Sequence, residues 1–155
     1  RIAVLSGQAG PNMTALDFLE AEGLTLAQFG RSTRKKIHEL LPPLALRDNP
    51  VDMGPAWYST EAVQGIVGAV LEDPGVDGIL VLTMYASANR EVLPGLTDFF
   101  LNWGQKKPLI TCFLSPKGIW DEPLAALEEQ KGIVNLPTPE QAAQAMAGLW
   151  KHSLS

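Results

Sequence analysis

The chain has 155 residues, 46% of them apolar and 19% charged, which is the composition of one ordinary globular domain rather than of a disordered or fibrous segment. Its formal net charge of -5 argues against nucleic acid and anionic membranes as main partners, because both select basic surfaces. One cysteine excludes an internal disulfide and fits a reducing, cytoplasmic setting, and no apolar run reaches the roughly 18 residues that a membrane-spanning helix needs.

In chain order, "IAVL" at 2–5 predicts a short buried strand. The Gly- and Ser-containing stretch that follows gives way to a predicted helix over 11–22, with Pro11 in the first helical position and Gly23 as the stop. "LTLAQF" at 24–29 predicts a second, weaker strand, and residues 32–41 a helix that Pro42 and Pro43 end. "RDNPVDMGP" at 47–55 reads as a loop or short extended piece. A helix follows over 59–72, capped by Ser59 and stopped at Asp73-Pro74-Gly75. "GILVLT" at 78–83 is the strongest predicted strand, and 89–104 a helix with Pro94 in its first turn. "PLITCFL" at 108–114, a helix over 121–131 and "GIVNL" at 132–136 lead into the last helix, 138–152, where Thr138 caps and Pro139 begins. No leader peptide is read at the start, and Arg1, with no methionine before it, reads as the beginning of a piece of a longer polypeptide.

Five apolar strands alternating with helices predict a parallel sheet covered on both faces. At this length the expected order is flavodoxin-like, with residues 2–5, 79–83 and 109–113 as central strands. Ligands of such sheets sit beyond the carboxyl ends of the strands, beside helix N-termini. That rule gives the first turn two readings. Gly7 and Gly10 allow a tight turn, Pro11 gives up an unused amide, and the amides of Asn12, Met13 and Thr14 would then face a phosphate with the positive end of the helix dipole. The turn is not a GxGxxG or Walker pattern, and a mere connecting turn explains it as well.

Beyond the residue chemistry, a series of segments resembles the last flavodoxin-like domain of the NDP-forming acyl-CoA synthetases, relatives of succinyl-CoA ligase. "GQAGPNMTALDFLE" at 7–20 resembles the family's "NAGGPGVLATDACE"-like turn, and "LLPP" at 40–43 its "LPP" helix end. "DNPVDMG" at 48–54, "EDPGVDGILV" at 72–81, "KPLITCF" at 107–113 and "GIVNLPTPEQAAQAMA" at 132–147 continue the series in order and spacing over nearly the whole chain. Ala9 and Asn12 stand where the family has glycines, and "TMYASANREVLPGL" at 83–96 replaces an acidic run, which marks a divergent member.

The resemblance implies a single succinyl-CoA-ligase-like domain over 1–155, cut from a multidomain enzyme that interconverts acyl-CoA, NDP and phosphate with acid, CoA and NTP. CoA, ATP or ADP and Mg are cofactors of that full-length enzyme, none of them bound by this domain. Its partners would be CoA-binding and ATP-grasp domains of the same or a partner chain, with a homo-oligomer also possible. The phosphorylated histidine sits in another domain, in an "SHTGA"-like loop absent here, so this chain has no catalytic residue and no metal ligand of its own. The implied phosphohistidine-facing residues are Gly7, Gln8, Gly10, Pro11, Asn12, Met13 and Thr14. Asn49 and Asp52 either line the site or serve local turn chemistry. The alternative is a regulatory or interaction module that kept the fold and lost the site. A flavodoxin or a receiver is disfavoured, since no "TxTGxT" loop and no acidic pair follows the first strand.

The remaining chemically active side chains read as structural. His38 and His152 fall on predicted helices as surface or capping groups, and Cys112 lies mid-strand as a buried thiol. "RSTRKK" at 31–36 reads as a solvated face, with docking to an acidic sister domain or phosphate as the minority reading. Of Trp57, Trp103, Trp120 and Trp150, Trp57 with Tyr58 reads as a core lid or an exposed anchor.

Overall fold

The computed structural model describes residues 1–103, 107–130 and 132–155. The predicted helix ends at 104 and 131, and the Trp103 side chain, lie outside the described residues. The elements are β1 (Ile2–Ser6), α1 (Ala9–Ala21), α2 (Arg31–Leu40), β2 (Val51–Asp52), α3 (Thr60–Glu72), β3 (Gly78–Met84), α4 (Val92–Trp103), β4 (Leu109–Leu114), α5 (Asp121–Glu128), β5 (Ile133–Asn135) and α6 (Pro139–Ser153). Two short 3-10 helices, Gly54–Tyr58 and Ser87–Asn89, complete the connections. All four strand pairings are parallel, in the order β2-β1-β3-β4-β5, so the flavodoxin-like order holds, as do its three central strands.

Two apolar layers explain why the central strands read as continuous hydrophobic runs. On one face Val4, Leu80, Leu82, Ile110 and Cys112 pack against Ala15 and Leu19 of α1 and Ala142, Ala143 and Met146 of α6. On the other, Ala3, Leu5, Ile79, Val81, Leu109 and Phe113 meet Ile37, Val63, Ile66, Val67, Val92 and Leu96. Each large side chain buried in this way contributes about 1.5–3 kcal/mol by leaving water. Helix starts follow the sequence in two cases: the Ser59 hydroxyl accepts from the Ala62 amide at 3.2 Å, and Thr138 from the Gln141 amide at 3.2 Å. Pro94 sits in the first turn of α4, where no intrahelical donor is lost.

The second strand departs from expectation. Residues 24–29 form only one bridge to the sheet, Ile2 with Leu26, and the NPVD stretch supplies the other half through Leu5 with Val51 and Ser6 with Asp52. Between these halves stands the side chain of Asn49. Its Oδ1 accepts from the Val4 amide at 2.9 Å, and its Nδ2 donates to the carbonyls of Ile2 at 2.8 Å and Ala27 at 3.0 Å. A primary amide carries the same donor and acceptor as a peptide group, so Asn49 stands in for the missing strand residue. Neither role expected of it, local turn chemistry or site lining, describes this contact across 45 residues of sequence.

The opposite edge is closed in a similar manner. Asn135 Oδ1 accepts from the Phe113 amide and the Thr111 hydroxyl, each at 2.8 Å, beyond the end of the short β5. The outward amides of β5 are also taken: Ile133 donates to the Gln130 carbonyl at 3.2 Å and Asn135 to Glu128 Oε1 at 3.3 Å.

At the other end of the sheet the buried Asp73 ties three segments. Its Oδ2 accepts from the Gly30 amide and its Oδ1 from the Gly75 amide, both at 2.8 Å, while Lys107 Nζ donates to its main-chain carbonyl. Burial alone would raise this carboxyl, but the Thr33 hydroxyl, the two amides and the Lys107 charge outweigh burial and hold it below the ordinary carboxylate value.

Two outcomes follow. Asn49→Ala leaves the Val4 amide and the Ile2 carbonyl without partners, and urea unfolding should show a loss of about 2–4 kcal/mol. Asn49→Asp keeps one acceptor but turns an oxygen toward two carbonyls, and should be at least as damaging. Because the folded carboxyl of Asp73 titrates below its unfolded value, its contribution is present above about pH 4 and is lost as pH falls through the folded value. Asp73→Asn should flatten the acid limb of a stability-versus-pH curve measured by urea midpoints.

Candidate functional site

The carboxyl end of β1 lies between β2 and β3, and the chain leaves it through Gly7 and Gln8 into α1. The connection after β1 runs to β2 and the one after β3 runs the other way to β4, so the point where such sheets leave a crevice for ligands lies between β1 and β3. Helix α1 begins at Ala9, two residues earlier than expected, with Gln8 as its N-cap. That shift changes which amides are free. The donors without an intrahelical acceptor are those of Gln8, Ala9 and Gly10, and Pro11 removes the fourth. The amides of Asn12, Met13 and Thr14 fall inside the helical ladder, so the expectation that they face outward is overturned.

The Gln8 side chain does not fold back to cap the helix. It reaches the end of β3 instead, where Oε1 accepts from the Thr83 hydroxyl and the Met84 amide, both at 3.2 Å, and Nε2 lies 3.5 Å from the Met84 carbonyl. The Ser6 hydroxyl donates to the Gln8 carbonyl at 2.6 Å, and the Gly7 amide to Leu82 at 3.2 Å. These bonds fix the direction in which α1 starts. Thr83 and Met84 were not anticipated as parts of this region, because nothing in their local sequence announces ties across 75 and 76 residues.

Under the turn, Trp57 is buried against the glycine: a Cβ on Gly7 would stand 2.8 Å from Trp57 Cγ and 2.8 Å from Thr83 Oγ1. Trp57, Phe113, Trp120 and Tyr85 form a chain of ring contacts with centroids 5.4–6.1 Å apart. Trp57 is therefore the core lid and Tyr58 the exposed neighbour. Trp120 is buried and donates to the Arg90 carbonyl at 3.0 Å, whereas Trp150 is partly exposed.

The other predicted residues separate. Gly10 is exposed, has no positive φ, and a Cβ there would meet nothing within 4 Å, so no backbone demand requires glycine. Pro11 and Thr14 are half-buried on the first two turns, and Met13 is 60% exposed. Asn12 turns inward: at 1% exposure its Nδ2 donates to the Val51 carbonyl at 3.2 Å, and its Oδ1 has no partner. Where the resembling family has glycine, this side chain fills the space between α1 and β2. Asp52 makes a local turn, accepting from the Gly54 amide at 3.0 Å.

Among the described residues no His, Cys or Lys side chain stands in the turn. His38 and His152 are exposed on α2 and α6. Cys112 is buried in β4, and burial, aided by Glu140, pushes its thiol up to about 11, away from nucleophilic use. A groove of about 710 Å³ opens beside α2, lined by Thr33, Gly65, Gly68, Asp73 and Phe99 among others, and includes none of residues 7–14. Asp73 already occupies the free amide at the start of α2, whereas α1 starts with exposed residues, no side-chain cap and no acid in its first turn, and so has donors to offer. It can hold an anion by neutral hydrogen bonds, and it supplies no nucleophile.

The two glycines give a paired test. Gly7→Ala should cost about 1–3 kcal/mol through collision with Trp57, read as a fall in the thermal midpoint. Gly10→Ala, in an open helical position, should be neutral or stabilising by up to about 1 kcal/mol.

The chain resembles known proteins throughout its length. It is 28% identical over 158 aligned positions to the alpha subunit of acetate–CoA ligase (ADP-forming) II of Pyrococcus furiosus, covering 96% of this chain and 33% of the relative. It is 29% identical to acetate–CoA ligase (ADP-forming) I of Archaeoglobus fulgidus, covering 98% of this chain and 21% of that one. Among solved structures, the acetyl-coenzyme A synthetase 1 of Candidatus Korarchaeum cryptofilum, in complex with phosphate and ADP, superposes with a TM-score of 0.83 at 25% identity, over 99% of this chain and 33% of that chain. No family model matches. The chain thus spans a fifth to a third of the relatives' length. Over nearly its whole length, in sequence and in fold, it is a homologue of one domain-sized part of the ADP-forming acetate–CoA ligases.

Proposed function

We propose that this chain is a domain of an ADP-forming acyl-CoA synthetase, an acid–thiol ligase, and that it presents the start of α1 to the phosphohistidine that carries the phosphoryl group. It works in the cytoplasm beside CoA-binding and ATP-grasp domains, which hold CoA, ATP or ADP and Mg, and it has no turnover alone. The observation that carries this reading is the first turn of α1. Its amides at Ala9 and Gly10 are free of a side-chain cap and exposed, at the carboxyl end of β1. Free amides at a helix start, with the positive end of the dipole, stabilise a phosphoryl group without adding a competing charge.

Support comes from the chemistry that is missing as well as from the turn. A turn that offers donors and, among the described residues, no His, Cys or Lys side chain suits a reaction whose covalent carrier arrives from elsewhere. The relatives' greater length leaves room for that carrier.

A charge reversal at the exposed Ala9 separates this reading from an unused turn. Ala9→Asp places a carboxylate in the first helical turn, so thermal stability of the chain should hold or rise by about 0.3–1 kcal/mol. Phosphoenzyme formation by the synthetase carrying the substitution, or by its other domains supplied with this chain in trans, should fall at least tenfold through repulsion of the phosphoryl oxygens. Unchanged phosphoenzyme would move the regulatory-module reading ahead. Asn12→Asp does not serve the purpose, because it would bury a charge and destabilise the fold by itself.

A further inference from the structure

The charge of this chain is divided between its parts. Residues 24–47 carry five Arg and Lys against the single Glu39, while the rest carries seven against sixteen acids. Four net positive charges therefore collect around α2 in a molecule of net charge -5. Among the described residues, the side chains of Arg34 and Arg47 form no ion pair and no hydrogen bond. Arg47 is half-buried in that state.

These cations border two adjoining cavities. One, of about 330 Å³, is lined by Ala27, Gln28, Phe29, Arg34, Asp48 and Asn49. The other, of about 420 Å³, includes His38, Leu46 and Arg47 and shares Asp48 and Asn49 with the first. Arg34 and His38 are four residues apart on α2 and so share one helix face. Arg34 thus lines one cavity and Arg47 the other, with Asp48 and Asn49 lining both. Asn49 is held to β1 and to the Ala27 carbonyl by three hydrogen bonds, so the floor is rigid.

We propose that this double cavity binds a small molecule bearing a phosphoanhydride, with Arg34 and Arg47 each taking one phosphate. Guanidinium forks match phosphate oxygens in pairs, and each cavity is of a size for a small ligand rather than a protein surface. Asp48 is the one acid on the rim, and it favours a ligand that spans it over one centred on it. The site lies by the β2 edge and does not depend on the role proposed for α1.

The test is a titration of the isotopically labelled chain with sodium pyrophosphate and, separately, with ADP, followed by backbone amide shifts at low salt and again at 0.15 M salt. Saturable shifts confined to residues 27–38 and 45–50, in both titrations, are expected. Pyrophosphate saturating as tightly as ADP assigns the recognition to the phosphates alone, and tighter ADP binding adds a contact for the nucleoside. Arg34→Gln and Arg47→Gln should each weaken binding about tenfold with the unfolding midpoint unchanged. Shifts that do not saturate, that spread equally to Lys117 and Lys151, that appear only at residues 7–14, or that survive both substitutions would overturn the proposal.

Discussion

The side chain of Asn49 is the contact on which the rest depends. β1 lies inside the sheet, but its outer neighbour is made of two unrelated pieces of chain that do not meet. Without a group between them, the Val4 amide and the Ile2 carbonyl would face a gap. One primary amide fills that gap with three hydrogen bonds and joins residues 25–27 to residues 51–52. Because β1 leads straight into the turn at Gly7, the same amide also sets where α1 begins. A backbone position has been replaced by a side chain, and the site inherits its placement from that substitution.

How much of this could be read from residues alone depends on the range of the interaction. The alternation of strands and helices was plain, since strands buried on both faces are apolar throughout and the caps at Ser59 and Thr138 lie within three residues of what they bind. The second strand was misplaced for a physical reason. "LTLAQF" has the composition of a strand but finds one bridge, whereas "NPVD" looks like a loop and gains its pairing from β1. The start of α1 was set two residues late because proline prefers the first helical position, yet it is equally free of conflict anywhere in the first turn. Asn12 was assigned to the surface from its neighbours in sequence, and only packing against Val51 reveals it as interior. The identity of Gly7 as a packing glycine belongs to the same class, since it depends on what Trp57 does 50 residues away, whereas Gly10 is unconstrained because nothing lies within 4 Å of a Cβ there.

The turn combines rigidity with chemical neutrality. Gln8, in place of the small residue seen in the resembling family, binds the end of β3, and Asn12 binds β2, so the first turn of α1 is held from both neighbouring strands. Donors fixed in this way need no rearrangement when charge arrives, which is the condition for electrostatic stabilisation to be effective. Among the described residues, no His, Cys or Lys side chain joins these donors in the turn.

The closed edge at β5 has a consequence for what the sheet can pair with. A parallel sheet that ends in a three-residue strand would ordinarily present a short row of unused amides to any extended segment nearby. Here the Gln130 carbonyl and the Glu128 carboxylate already occupy those amides, and Asn135 stoppers the overhang of β4. An intruding strand would have to displace a charged group to gain one bond. A chain crowded against similar sheets during synthesis is thereby kept from sharing this edge of its sheet with a neighbour.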